Sequence, residues 1–313
     1  MRAHPLYGYF LLLVTALSWA GAWLTARVAA HDAPPLAVTV GRFAVASLLL
    51  LPVWWKLARG RKVRVRGRDW LALVAMSITG IMLYNVAFLT GVQHAPASDG
   101  AVITPGLVGP FTILLVWGFW RVRPTGYDVL GMALALAGVV LVGWSAVRAA
   151  GTDSERVAGD LWFVAGAVTW ATYTALGRGI ADRVPAVTSV LLCSAIGALL
   201  MTPIAAWHDG PPDLRTWSTA AWFNVVYLGA CATAIGFTTY YLGVRIVGVG
   251  RAMPALGLVP FFGVVGAALI LGEHLTPLHA IGGALVIAGI VVPPSLARRA
   301  ARITRATREP EAA

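Results

Sequence analysis

Gly159-Asp-Leu-Trp-Phe-Val-Ala-Gly-Ala-Val-Thr-Trp-Ala-Thr-Tyr-Thr-Ala-Leu-Gly-Arg178 repeats a stretch at the start of the chain, Gly8 to Arg27. Gly8 aligns with Gly159, Ala16 with Ala167, Ser18 with Thr169, Trp19 with Trp170 and Arg27 with Arg178, a constant shift of 151 residues. The register persists. Pro34 meets Pro185, Pro52 meets Pro203, and Gly131-Met-Ala-Leu-Ala-Leu-Ala-Gly138 lies over Gly282-Gly-Ala-Leu-Val-Ile-Ala-Gly289. A match at one fixed offset of about half the chain signals internal duplication.

The composition says where such a chain resides. Of 313 residues, 58% are hydrophobic and only 12% charged, against roughly 25% charged in soluble domains. So few charges cannot cover a water-facing surface, but they suit a lipid-facing one, where each helical crossing needs about 20 mostly apolar residues. The net charge of +11 would suggest nucleic acid in a soluble protein. Here the basic residues sit in short loops and report orientation, and no nucleic-acid partner is expected. Cys193 and Cys231 fall in apolar runs and are too few for a disulfide framework or a zinc site. The apolar run from about residue 6 to 26 exceeds the usual signal-peptide core, so it reads as a retained span.

Ten apolar segments follow, at about 7–27, 36–56, 70–91, 99–120, 127–146, 159–180, 187–207, 219–243, 250–271 and 277–294. The expected fold is an all-α membrane protein of ten transmembrane helices in two five-helix repeats, 1–146 and 159–294, with a linker at 147–158 and a basic tail at 295–313, disordered or lying on the membrane surface. With the N-terminus inside, 19 Lys and Arg fall in inner segments and four in outer ones, with Arg42 inside a span. That bias places both termini in the cytoplasm. Five spans per copy is odd, so the second copy enters from the opposite side. Inverted repeats of this kind support alternating access to a central site.

Polar and aromatic residues at helical spacing mark the inward faces. The first span offers Thr15, Ser18, Ala22 and Thr25; the sixth Thr169, Thr172 and Tyr173; the eighth Tyr227, Cys231, Ala234, Thr238 and Tyr241, with Tyr240 beside them. Isolated hydroxyls of this type are ordinary helix–helix glue. Tyr84 and Asn85 in mid-span, and Trp19 and Trp170 a dozen residues into theirs, point instead to a cavity wall. Pro105 and Pro110 in span four and Pro254 and Pro260 in span nine are expected helix breaks, paired across the copies. Arg42 inside its span would cost about 2.5–3.5 kcal/mol at a helix centre, and is expected to meet a carboxylate or an anionic group. Asp99 and Glu273 read as rim charges, and His274 with His279 as a poor metal pair. Val129/Ala133/Ala137 and Ala280/Ala284/Ala288 read as packing faces. No phosphate loop, zinc-protease motif or nucleophile elbow is present, so neither an enzyme nor a cofactor is expected, and any driving energy comes from gradients.

Several strings resemble one family. Ser18-Trp-Ala-Gly-Ala22 with Gly41-Arg-Phe43, and Thr169-Trp-Ala-Thr-Tyr173 with Leu271-Gly-Glu-His-Leu-Thr-Pro277, are similar to the two repeats of EamA-type drug/metabolite transporters. The resemblance implies export of amino acids or other small metabolites across the bacterial inner membrane. It also implies a central cavity to which Trp19, Tyr84, Asn85, Trp170, Tyr173, Tyr240 and Tyr241 contribute. Glu273 has no counterpart in the first copy, so a charge role for it belongs to the second half alone; Arg42 is the other candidate for a charge role. Partners are then a small-molecule substrate and membrane lipid, with a homodimer left open. Coupling to protons is left open; the alternatives are an uncoupled facilitator and, from another class, a membrane scaffold or partner-binding subunit.

Overall fold

The computed structural model describes residues 4–58, 65–150, 154–208, 210, 212–248, 252 and 255–308. The described residues form helices without strands. We number them α1 (Pro5–Val28), α2 (Pro35–Ala58), α3 (67–94), α4 (Ala97–Trp120), α5 (Gly126–Ala150), α6 (Ser154–Ile180), α7 (Ala186–His208), α8 (219–247), α9 (Leu258–Leu271) and α10 (Pro277–Arg308). Local chemistry sets their ends. Pro5 and Pro277 open α1 and α10, where a missing N–H costs nothing. The Ser218 hydroxyl accepts the Ala221 N–H to cap α8. Gly272 closes α9 at φ 67°, a conformation that disfavours residues with a Cβ.

Seven of these helices are long and apolar enough to cross a membrane: α1, α2, α3, α4, α5, α7 and α8. Leu258–Leu271 and Pro277–Pro293 are shorter apolar helices. α6, expected as a span over 159–180, is 27 residues long but falls outside those seven. The outward surface carries large apolar side chains such as Phe119, Trp207 and Leu269, which are 78%, 89% and 80% exposed. Such a surface is stable against hydrocarbon, and the chain is a multi-pass membrane protein. The segment after Pro294 continues α10 as helix to Arg308, which corrects the expectation of disorder over that stretch.

The packing places distant segments together. α1 packs on α8 and α9, while α6 packs on α3 and α4; α2 packs on α7, and α5 on α10. The last pair shows why glycine recurs in both. A Cβ on Gly138 would lie 2.4 Å from the Gly282 carbonyl oxygen, and one on Gly289 2.7 Å from the Gly131 oxygen. The two backbones therefore run antiparallel in direct contact, as small residues permit between membrane helices. The expected packing faces are corrected by this geometry. Ala133, Ala137, Ala280 and Ala284 are exposed, and the contact runs through Gly131, Ala135 and Gly138 against Gly282, Val286 and Gly289.

Candidate functional site

Two helices depart from regular α geometry. α3 contains a π segment at Ser77–Leu83 and α8 one at Tyr227–Ile235. Shifted by the 151 residues of the sequence repeat, the first falls within the second. Wider π turns leave carbonyls free of their usual donors and concentrate at functional sites. Side chains take up those carbonyls here. The Asn85 amide donates to the Ile81 oxygen at 2.8 Å, and the Thr233 hydroxyl to the Leu228 oxygen at 2.9 Å.

Arg42 links the two segments. From α2 its Nη1 donates to Asn85 Oδ1 at 2.6 Å, and its Nη2 to Thr233 Oγ1 at 3.1 Å and the Leu228 oxygen at 3.4 Å. The residue is 7% exposed, and its Nε has no partner among the described residues. No ion pair among those residues includes Arg42, and the acceptors that hold this buried cation there are neutral. The expected carboxylate partner is not found there.

Beside this arrangement the predicted aromatics converge. Trp19 on α1 donates its indole N–H to the Ala232 oxygen in the α8 π segment at 2.9 Å. Its ring lies 5.4 Å from Phe237 and 5.6 Å from Tyr240. Trp170 on α6 lies 4.7 Å from Tyr84, 5.0 Å from Tyr173 and 6.1 Å from Phe237. Tyr241 completes the set, 5.2 Å from Tyr240 and 6.3 Å from Phe237. Each edge or offset contact of this kind is worth about 0.5–1.5 kcal/mol beyond the area it buries. Trp19, Tyr84, Trp170, Tyr240 and Tyr241 remain half-buried while Tyr173 is buried, so most of these rings keep an accessible face. The structure thus brings together Trp19, Tyr84, Trp170, Tyr173, Tyr240 and Tyr241, with Asn85 one residue from Tyr84.

Phe237, the ring that joins Trp19 to Trp170, is not among the expected site residues. Its place three and four residues before Tyr240 and Tyr241 on α8 was the available signal. Trp23 is likewise not among the expected residues. It packs edge-on against Phe88 at 4.8 Å and Phe163 at 5.5 Å, extending the aromatic column along α1.

The expected proline breaks are redistributed. α4 runs through Pro105 and Pro110 without interruption, and Pro260 sits in the first turn of α9, where its missing N–H has no helical acceptor to leave empty. Pro254 lies outside the described residues. The interruptions at matched positions are the two π segments.

Asp99 is not a rim charge, and Glu273, part-exposed at a helix end, has a defined role in packing. The Glu273 carboxylate caps α4, accepting the Ala97 and Ser98 N–H groups at 2.8 and 3.0 Å and the Ser98 hydroxyl at 2.6 Å. A carboxylate at a helix N-terminus faces its positive dipole end. Asp99 is fully buried, ion-paired to Arg156 at 2.9 Å and bonded to the buried His279 at 2.6 Å. A single sequence could not reveal this, because Arg156 and His279 lie 57 and 180 residues away.

Known proteins of the same kind fit this architecture. The pattern of the EamA-like transporter family matches residues 6–144 and again residues 157–292. The chain is 29% identical over 285 residues to a probable terminal-alkyne amino-acid exporter of Streptantibioticus cattleyicolor, covering 90% of this chain and 91% of that one. It is 28% identical to the aromatic amino acid exporter YddG of Ancylobacter novellus, covering 88% and 94%. It is 24% identical to the uncharacterized transporter YetK of Bacillus subtilis, covering 91% and 86%. A solved crystal structure superposes with a TM-score of 0.62 at 26% identity, over 93% of this chain and 98% of that one. With the family pattern matched twice along nearly the whole length, the chain belongs to the EamA-like transporter family.

Proposed function

We propose that this protein exports a small metabolite, an amino acid or a related compound, by alternating access between two inverted five-helix repeats spanning 1–146 and 159–294. The observation that carries this is the convergence of Trp19, Tyr84, Trp170, Tyr173, Tyr240 and Tyr241, from α1, α3, α6 and α8, on one aromatic cluster. Ring faces of this kind bind apolar or aromatic side chains of a solute, and Asn85 with Arg42 supplies polar groups beside them. Two of the relatives bear names as amino-acid exporters, which favours that substrate class.

The helix pairings support the repeat. α1 meets α8 and α9 as α6 meets α3 and α4, while α2 meets α7 and α5 meets α10. Under a shift of five helices each pairing becomes another member of the set. The contact of Gly131 with Gly289 likewise exchanges with that of Gly138 with Gly282. An axis in the membrane plane relates such halves, and rocking one against the other exposes a midplane site to either side. The chain is then placed in the bacterial inner membrane with both termini cytoplasmic, following the 19 to 4 basic bias.

The test is flux in liposomes containing purified protein and loaded with an amino-acid mixture, with mass spectrometry of what leaves. Selective release of one class of solute is expected, with loss of that release in Trp19→Ala and Tyr84→Ala proteins that still insert and elute as folded species. Unchanged release in both variants would remove the aromatic cluster from the transport path.

A further inference from the structure

A cluster of buried ionisable side chains lies away from the aromatic site, where α4, α6 and the start of α10 meet. Asp99 Oδ2 accepts from Arg156 Nε at 3.0 Å and Nη2 at 2.9 Å, while its Oδ1 faces His279 Nε2 at 2.6 Å. His279 is 1% exposed. One turn beyond Arg156 on α6 stands Asp160, 8% exposed, with an Oδ1 that has no partner among the described residues. The backbone is tight here, since a Cβ on Gly159 would lie 2.5 Å from Ala95 Cβ. Asp160 feels the charges of both Asp99 and Arg156.

The tautomer of His279 follows from its neighbours. The Thr276 backbone N–H points at Nδ1 from 3.3 Å, and the Thr276 hydroxyl lies 2.8 Å from the same nitrogen. A backbone N–H only donates, so Nδ1 accepts and Nε2 carries the hydrogen toward Asp99. The imidazole is neutral. Asp99, with three donors on its oxygens, is the ionised carboxylate balanced by Arg156. Asp160 is then the surplus negative charge. One proton cancels it, whereas leaving it ionised buries a carboxylate oxygen without a donor, which is costly.

Among the described side chains, the other charged groups nearby do not balance Asp160. Glu273 is occupied by the α4 N-terminus. His94 at the end of α3 and His274 before α10 are exposed, and Arg27 of α1 donates to the Val92 and Gln93 carbonyls. Glu155 adjoins Arg156 at the exposed start of α6 and adds negative charge. The Arg148 side chain at the end of α5 lies outside the described residues. Arg156, 19% exposed, gives the cluster its contact with water.

We propose that Asp160, buried one turn from the Arg156 that pairs with Asp99, is a proton-binding site at the junction of α4 and α6. Binding forms one O–H bond on the Asp160 carboxylate, with the proton taken from water on the Arg156 side and no other bond broken in the protein. Loss of that proton restores the repulsion between Asp160 and Asp99. The use of this proton to drive solute movement rests on the transporter proposal above, but the site itself does not.

Infrared spectroscopy of the purified full-length protein, titrated through neutral pH, tests the site directly. Ordinary aspartates, with a pKa near about 4, are ionised there. The expected result is the carbonyl band of one protonated carboxylic acid per chain that persists into the neutral range and disappears on further alkalinisation. It should be missing in Asp160→Asn. Should Asp160→Asn not fold, Asp160→Glu must move the band. A band unmoved in either variant, or no such band in the unmodified protein, overturns the proposal. In liposomes, solute flux that responds to an imposed pH gradient supports coupling. Flux that ignores the gradient removes coupling and leaves transport standing. An absence of any flux, with the band present, refutes the transporter proposal and not the proton site.

Discussion

Replacing Asn85 with leucine removes the acceptor that faces Arg42 Nη1 at 2.6 Å and the amide that serves the Ile81 carbonyl at 2.8 Å. The guanidinium stays buried, with one nitrogen already unpartnered among the described residues. A hydrogen bond to a charged group contributes about 1.5–3 kcal/mol and a neutral one about 1 kcal/mol. The single change should therefore destabilise by roughly 2.5–4 kcal/mol by the same accounting. Arg42→Met in the same background removes the charge that made the lost acceptor costly. Replacing a buried polar set by apolar residues of similar size is often near neutral. The double variant should thus be more stable than Asn85→Leu alone, with a coupling energy of at least about 1.5 kcal/mol, well above what independent sites show. Denaturant unfolding in mixed micelles, followed by tryptophan fluorescence, measures all four corners of the cycle. If the two effects simply add, Arg42 and Asn85 are not an energetic unit, and the link between the π segments is only geometric.

Two further outcomes test the packing and the topology. Gly138→Ala puts a Cβ 2.4 Å from the Gly282 oxygen, and should destabilise by about 1–3 kcal/mol from overpacking. Gly143→Ala meets nothing within 4 Å and should stabilise by up to about 1 kcal/mol through helix propensity; the same unfolding assay must give opposite signs. Reporter tags on both chain ends should be protected together in right-side-out vesicles, and ends on opposite faces would exclude an even number of crossings.

The aromatic residues of the candidate site were legible because large rings in mid-span are rare and Trp19 and Trp170 share one repeat position. The expectation of breaks at Pro105 and Pro110 failed for a local reason. A helix supported on several sides tolerates the donors lost at Pro105 and Pro110, whereas the π turns leave no fixed residue signature. Asp99 looked like a rim charge because its position at the start of an apolar run says nothing about what folds over it.

What the sequence determined by itself was the membrane setting and the doubling of the pattern, since both follow from composition and from periodicity along one dimension. Only the tertiary structure decided which groups share a site: Arg42 with Asn85 and Thr233, Phe237 between two tryptophans, and Asp99 with Arg156 and His279. Hydrophobicity acts on each segment according to its own residues. Partnership between buried polar groups depends on distances of about 3 Å across helices far apart in the chain, and packing alone sets those distances.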